Sequence, residues 1–391
     1  MSDVKSLVFV SNYFNHHQKY LSDEFYKLLG EGYHFISTVP MEAKRKALGW
    51  GEYDLDYIIN AHESQAAYQK AEYLIKEADV VILGSAPEKM LRERIKAGKL
   101  TFRYSERLLR HGLELKKYFY RFFRYHYLNP RKSNVYLLCS SAYTSADYKK
   151  FGLFKNKAFK WAYFTEAKLY EDVDKLIEQK NSAEILWCGR FLKLKHLDDA
   201  ICVLSRLIKE GFKCKLKVIG TGPEEETLKE LSATLKCKDS ISFVGTMSPE
   251  QVRVNMEKAD IFLFTSDFNE GWGAVLNESM NSGCAVVSSH AAGATPFLVS
   301  DEKNGFIYES RNITDLYEKI KYLLENSEET KKIGKEAYKT ITELWSPKVA
   351  ANRFLELSNS ILNTGNCLLF SNGPCSPSKP LKNNWYKGKK K

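Results

Sequence analysis

The sequence predicts an α/β fold of two doubly wound, Rossmann-like domains facing across a cleft. Three observations lead there. At 391 residues, the chain is long enough for two to three domains of roughly 150 residues each. Short apolar runs alternate with amphipathic stretches in two blocks, the pattern of parallel strands buried on both faces with helices between them. The blocks also echo each other: Glu77-Ala78-Asp79 leads into VVILGS, and Lys258-Ala259-Asp260 leads into IFLFTS. Such sheets bind ligands beyond the carboxyl ends of their strands. The loops of interest therefore follow Val10, Leu83, Cys188, Ile219, Val244 and Phe264.

In the first block, Ser6 to Ser11 reads as a buried strand, Gln18 to Leu29 as an amphipathic helix and Tyr33 to Thr38 as a second strand. Ala66 to Glu77 is a helix, and Val80 to Leu83 a strand closed by Gly84-Ser85. Leu100 to Tyr104 and Asn134 to Cys139 supply two more strands. The pattern turns irregular near Lys155, and an interdomain linker is expected to run to about Ser182.

The second block opens with the strand Glu184 to Cys188, ending at Gly189, and the helix Leu197 to Lys209. Strand Lys215 to Ile219 closes on Gly220-Thr221-Gly222, followed by helix Glu224 to Leu235 and strand Ile241 to Val244. Helix Pro249 to Lys258 precedes strand Ile261 to Phe264, and helix Leu276 to Ser282 precedes strand Ala285 to Ser288. Ile313 to Asn326 and Glu328 to Glu343 are helical. The expected division is an N-terminal domain over 1–165 and a C-terminal domain over 183–345. A last helix over 346–362 crosses back to the first domain, and 363–391 forms a flexible basic tail.

Composition narrows the class. Apolar residues make up 44% and charged residues 27%, which excludes disordered and collagen-like chains. No apolar run reaches the roughly 18 residues of a membrane-spanning helix. The N-terminus lacks the basic and long apolar regions of a signal peptide, so a cytoplasmic location is expected. Eight cysteines are scattered without a CxxC pair, which favours reduced thiols over disulfides or a zinc site. A net charge of +11 favours an anionic partner, be it nucleic acid, membrane surface or phosphorylated substrate.

Two places in the second block carry chemistry. Gly189-Arg190 follows a strand, and Lys195 lies just beyond. A forked guanidinium and a compact ammonium together suit a diphosphate; two surface cations would look the same. Glu270-Gly271-Trp272-Gly273 then leads to Glu278, placing two carboxylates around a glycine-flanked turn into a helix. Glycines let backbone approach a ligand closely, and free N–H groups at a helix start favour phosphate by about 0.3–1 kcal/mol at exposed sites. Glu270 suits sugar hydroxyls and Glu278 a ribose diol. The alternative is a capped helix with incidental acids.

These motifs are joined by Gly220-Thr221-Gly222-Pro223, Phe243-Val244-Gly245, Ala259 to Ser266, Gly283 to Val287 and Asn304-Gly305-Phe306. In this order the chain resembles family 4 retaining glycosyltransferases of the GT-B fold, of the bacterial surface-polysaccharide type, over about residues 184–350. The resemblance implies a nucleotide-diphosphate sugar in the C-terminal domain. It makes Glu270, Arg190 and Lys195 catalytic, with the two cations on the diphosphate and Glu270 on the donor sugar. It makes Glu278, Gly271, Trp272, Gly273, Thr246 and Gly189 donor-binding, with Glu278 on the ribose and Thr246 beside the base. It implies no metal and no cofactor beyond the sugar nucleotide, and same-face attack with a donor phosphate oxygen taking the acceptor proton.

The chain departs from the family at Asn277, where an apolar residue is common, and at Asn12 to Gln18, which replaces paired glycines after the first strand. The usual His or Asp of the N-domain loop is also not evident; Tyr104-Ser105-Glu106-Arg107 stands near its place. The acceptor-side candidates are His17, Asn15 and Glu106. His16 and His17 read either as cleft-facing loop residues, with His17 preferred, or as a helix-start pair. Glu106 reads either as the receiver of an acceptor hydroxyl or as the partner of Arg103 or Arg110.

Asp54-Leu55-Asp56 matches the metal-binding DxD of the other glycosyltransferase fold, but no long strand precedes it. No strand leads into GxGxxG, so a dehydrogenase is not indicated. Residues 103–132 hold nine Lys or Arg against two Glu, interleaved with Leu and aromatic residues. That mixture suits an anionic bilayer surface. A solvated basic helix packed on its own domain is one alternative; RNA is another, without an accompanying recognition module.

The expected activity is retaining transfer of a hexose-type sugar from a sugar nucleotide to a saccharide or lipid-linked acceptor in cell-surface polysaccharide synthesis. The expected setting is the inner face of the membrane, in peripheral contact with anionic lipid and without nucleic acid. The alternatives are a sugar-nucleotide epimerase on the same fold and a non-catalytic nucleotide- or glycan-binding protein.

Overall fold

The computed structural model describes residues 4–43, 51, 53–112, 114–130, 133–368 and 370–388. Leu113, Arg131 and Lys132 of the basic segment, and the terminal Lys389 to Lys391, lie outside the described residues. The chain divides into two compact units: Met1–Thr165 with Ser346–Leu381, and Glu166–Trp345 with Lys382–Lys391.

Unit 1 is built on a seven-stranded sheet: β1 (Leu7–Ser11), β2 (Tyr33–Ser37), β3 (Ile58–Asn60), β4 (Val80–Leu83), β5 (Thr101–Ser105), β6 (Val135–Cys139) and β7 (Ala158–Lys160). All pairs are parallel, in the order β3-β2-β1-β4-β5-β6-β7. The order reverses between β1 and β4, which makes that crevice the switch point where such sheets take ligands. The central strands are continuous apolar runs because helices cover both faces; β1, β4 and β6 are buried throughout. Helix Pro347–Thr364 belongs to this unit. Its Phe354 ring lies 4.8 Å from Phe102 and 5.6 Å from both Phe25 and Trp161. Burying one such side chain contributes about 1.5–3 kcal/mol.

Unit 2 repeats the plan with six strands: β8 (Asn181–Cys188), β9 (Lys215–Ile219), β10 (Ile241–Phe243), β11 (Ala259–Phe264), β12 (Ala285–Ser289) and β13 (Phe306–Tyr308). The order is β10-β9-β8-β11-β12-β13, again parallel, with its switch point between β8 and β11. The internal echo falls on equivalent strands: β4 pairs with β1, and β11 pairs with β8.

Two expectations are corrected. The stretch 166–182 is no free linker, because it docks on unit 2. Lys168 N–H donates to Asn281 Oδ1 at 2.9 Å, and Tyr170 N–H to the Tyr338 hydroxyl at 3.1 Å. Val173–Glu178 is a helix within it. The tail after 363 is also not loose over its described length. Cys375 is fully buried, the Lys160 and Ser376 backbones hydrogen-bond at 2.8 Å, and Phe159 bridges Pro377. Further on, the Tyr386 hydroxyl donates to Ile307 O at 2.6 Å. The aromatic and small residues interspersed among the lysines supply the burial that the charge count concealed. All eight cysteines are free thiols. Among the described residues, no helix is long and apolar enough to cross a membrane.

Candidate functional site

In unit 2 the loops after β8 and β11 meet at the switch point and are stitched together. Asp267 N–H donates to Leu194 O at 2.9 Å, and the Thr265 hydroxyl bonds Lys195 O. Lys195 Nζ pairs with Glu270 Oε2, which also accepts from the Ser266 hydroxyl at 3.0 Å. Both partners are largely buried, at 16% and 14% side-chain exposure, so the pair is poorly screened and its geometry fixed. Arg190 stands exposed at the end of β8 and pairs with no carboxylate among the described residues. The predicted catalytic triad is thus one locked ion pair and one available cation.

The backbone here has little freedom. Gly220 has φ +130°, and a Cβ on it would meet Gly189 O at 2.0 Å, so the loops after β8 and β9 touch through glycine. Gly273 has φ +94°, and a Cβ there would lie 2.0 Å from the Phe264 ring. It caps helix Ala274–Asn281. Gly271 is buried beside it, and Thr246 is exposed after β10.

Trp272 corrects the sequence reading. Its indole is 1% exposed and packs near Phe297 and Trp345, while its N–H donates to Asn277 Oδ1 at 2.8 Å. The side chain is core, not a ligand contact, because a buried indole needs apolar walls and one acceptor. Asn277, the departure from the family pattern, is that acceptor.

Glu278 is different in kind. No protein donor among the described residues bonds its carboxylate. Burial pushes its pKa up to about 7, opposed by Arg253 and reinforced by Glu166. A half-buried carboxylate without a protein donor, in the second turn of helix Ala274–Asn281, is a candidate to accept hydrogen bonds from a ligand.

Residues that sequence reasoning missed brace this site. His196 has a left-handed backbone, φ +48°. Its Nε2 lies 3.2 Å from Asp267 Oδ2, and its Nδ1 2.8 Å from the Arg311 guanidinium. Burial opposes its charge, but hydrogen bonds to Asp198 and Asp267 outweigh that and lift it to about 9. No local spacing announces this network, since Arg311 is remote in sequence.

At the switch point of unit 1 lies a cleft of about 560 Å³. His17, Asn15 and Glu106 all line it, together with Tyr104, Tyr163 and Arg124. The two readings of the histidines merge: helix His16–Leu29 begins with the pair, and His17 still reaches the cleft. Asn15 caps that helix, accepting from His17 N–H at 2.9 Å. The His17 ring stacks on Tyr163 at 5.5 Å. Glu106 accepts from the Tyr163 hydroxyl and lies 3.5 Å from Arg110. Arg103 is not its partner, being held by Glu88 at 2.7 and 2.9 Å. Burial, with Tyr104 and Glu106 nearby, pushes Tyr163 well above the usual phenol range, so it stays protonated. Asp54 and Asp56 sit exposed on the loop before β3. Among the described residues, no group of three His, Cys, Asp or Glu could hold a metal ion.

A parallel sheet thus gathers a fixed cation–carboxylate pair, an exposed arginine and a glutamate without a protein donor at its switch point, the place where such sheets take ligands. Residues 171–340, the heart of unit 2, match the family model of glycosyl transferases group 1. An uncharacterized glycosyltransferase of Haemophilus influenzae is 30% identical over 155 residues, covering 40% of this chain and 43% of that protein. The alpha-monoglucosyldiacylglycerol synthase of Streptococcus pneumoniae is 31% identical over 134 residues, covering 34% and 30% respectively. The chain thus spans less than half the length of both relatives. Among solved structures, Anabaena HepE in complex with UDP gives a TM-score of 0.66 over 91% of this chain and 100% of its own, at 14% identity. That likeness extends across both units and is one of fold, the GT-B fold.

Proposed function

We propose that this chain is a metal-independent, retaining glycosyltransferase of family 4, moving a hexose-type sugar from a nucleotide-diphosphate sugar to a saccharide or lipid-linked acceptor in surface-polysaccharide synthesis. The observation that carries the reading is the locked Lys195–Glu270 pair beside the unpartnered Glu278 at the unit 2 switch point. Lys195 and Arg190 meet the leaving diphosphate, where fixed cations are worth more than in water. Glu270, held by Lys195 and Ser266, orients the sugar hydroxyls, and Glu278 accepts from the ribose diol. The glycosyl transferases group 1 match over unit 2 supports a sugar-nucleotide site there, and the HepE neighbour of like fold is a complex with UDP. In unit 1, Glu106 and Tyr163 orient the acceptor hydroxyl; its proton passes to a donor phosphate oxygen as the new glycosidic bond forms on the face the diphosphate leaves.

The test is a thermal-shift panel of UDP-, GDP- and ADP-sugars followed by an assay of nucleotide release. A ligand at about 100 times its dissociation constant adds about 2.7 kcal/mol to stability. Release that requires an acceptor supports transfer. Release of an altered sugar nucleotide without acceptor favours the epimerase, and binding without turnover favours a non-catalytic protein.

A further inference from the structure

Helix Leu115–Leu128 of unit 1 has two unlike faces. One is packed: Tyr118 stacks on Phe151 at 5.4 Å, and Phe122 and Tyr125 rest on the buried cluster around Leu137 and Tyr148. The other is bare: Phe119, Tyr120, Phe123 and Tyr127 are 67%, 64%, 69% and 65% exposed. Phe119, Phe123 and Tyr127 recur at every fourth position and so form one stripe along the helix. Leaving a large aromatic side chain in water forgoes the gain of burying it, and four neighbouring cases mark a contact surface.

Charge selects the partner. The helix carries Lys116, Lys117, Arg121 and Arg124 and no carboxylate. Glu114 precedes it and pairs with Lys117 at 2.7 Å on the surface. The Arg92 guanidinium lies 5.8 Å from the Tyr127 ring centroid, bringing a further cation to the stripe. A second copy of the chain would set these cations against their like. A nucleic acid would take up the cations but offers no apolar layer for a continuous stripe of rings. An anionic bilayer satisfies both: rings enter the headgroup boundary while arginines and lysines meet lipid phosphates.

We propose that helix Leu115–Leu128 docks flat on an anionic lipid bilayer through Phe119, Tyr120, Phe123 and Tyr127, bringing the rim of the unit 1 cleft to the lipid surface. The cleft is involved because Arg124 and Tyr125, on the same helix, line it. The docking does not depend on the glycosyltransferase reading, and its test needs no substrate. Flotation is measured with phosphatidylcholine vesicles, with and without phosphatidylglycerol, at about 0.1 M and about 1 M salt, where the screening length falls from about 10 Å to about 3 Å. The full chain is expected on the mixed vesicles at low salt, and about tenfold less on neutral vesicles or at high salt. The variant F119S/F123S/Y127S, altered only at exposed positions, should keep its melting temperature and any UDP-induced shift while losing about tenfold or more of its vesicle binding. Binding equal in the variant and the parent overturns the proposal, as does absence of binding by both. Light scattering that shows a dimer dissolved by the same substitutions assigns the face to a second copy and also overturns it. A failure of every sugar nucleotide to bind would sink the glycosyltransferase reading and leave the vesicle result standing.

Discussion

The two switch points solve similar problems with opposite materials. In unit 2 the site loops are fixed by close backbone approach and by one side-chain pair: glycines that admit no Cβ, a left-handed His196, and an ion pair already made between Lys195 and Glu270. In unit 1 the cleft is walled by tyrosines and polar side chains drawn from β1, β5, the loops that follow β1, β4 and β6, and the Leu115–Leu128 helix. Under the proposed function, a diphosphate-type ligand calls for fixed donors at fixed distances, and spaced glycines and charges in the sequence answer that demand. A cleft for hydroxyls and ring faces can be assembled from tyrosines on any strand, and leaves no spacing behind.

The sharpest way to break this contrast is at Lys195. Lys195→Ala removes the ammonium and leaves Glu270 charged, poorly hydrated and held by Ser266 alone. Turnover should fall by about 2.7–4 kcal/mol in barrier, the cost typical of losing one donor to a developing anion. Arg190→Ala, at an exposed position, should cost less. Near-normal turnover of both variants with an identified donor would take the pair out of the mechanism.

The next effect is on stability. Gly273→Ala combines a φ of +94° with a methyl group 2.0 Å from the Phe264 ring. A left-handed L-residue costs roughly 1–2 kcal/mol, and forced overpacking typically about 1–3 kcal/mol more. Denaturant unfolding should show a loss of about 2–5 kcal/mol in total. An unchanged midpoint would mean that the turn relaxes, and that the glycine serves the ligand alone.

On the unit 1 side the expected loss is smaller. Glu106→Gln keeps the shape and weakens a charge-assisted bond from Tyr163. A fall of about tenfold in kcat/KM for the acceptor corresponds to about 1.4 kcal/mol. Nucleotide binding measured by calorimetry should not change. If nucleotide affinity drops alongside, the two switch points are not separate in function.

Legibility followed the same divide. β4 and β11 stand out as apolar runs ending at Gly84 and Ser266, and both occupy matching places in their sheets. Three-residue strands such as β3, β7 and β13 are too short to show a period. Lys195, Glu270 and Glu278 could be singled out because their spacing encodes a turn. His17 and Glu106 could be named as candidates, but Tyr163, which touches both, lies in the stretch read as irregular before a linker. Trp272 misled because it sits inside the motif yet faces the core. The tail misled because its lysines outweighed, in composition, the Cys375, Trp385 and Tyr386 that anchor it.

The subtlest expectation concerns Glu278 and pH. An unfolded glutamate titrates near about 4.3, while burial lifts this one to about 7 in the folded chain, with Arg253 opposing and Glu166 adding to the rise. The folded state therefore holds the proton more tightly. The resulting stability is fully present below the unfolded value and is lost as pH rises through about 7. Glu278→Gln cannot ionise, so its melting temperature relative to the parent should climb between pH 5 and pH 8, by a few degrees at most. UDP should reverse the ranking. If the ionised carboxylate accepts from the ribose hydroxyls, the parent gains affinity over the variant as pH rises through the same window, and the nucleotide's own titration cancels in the comparison. Melting curves of both proteins, with and without UDP at matched pH, read both effects. A difference curve flat across that range would show that Glu278 is already ionised or already paired, and the orphaned carboxylate would lose its claim to the diol.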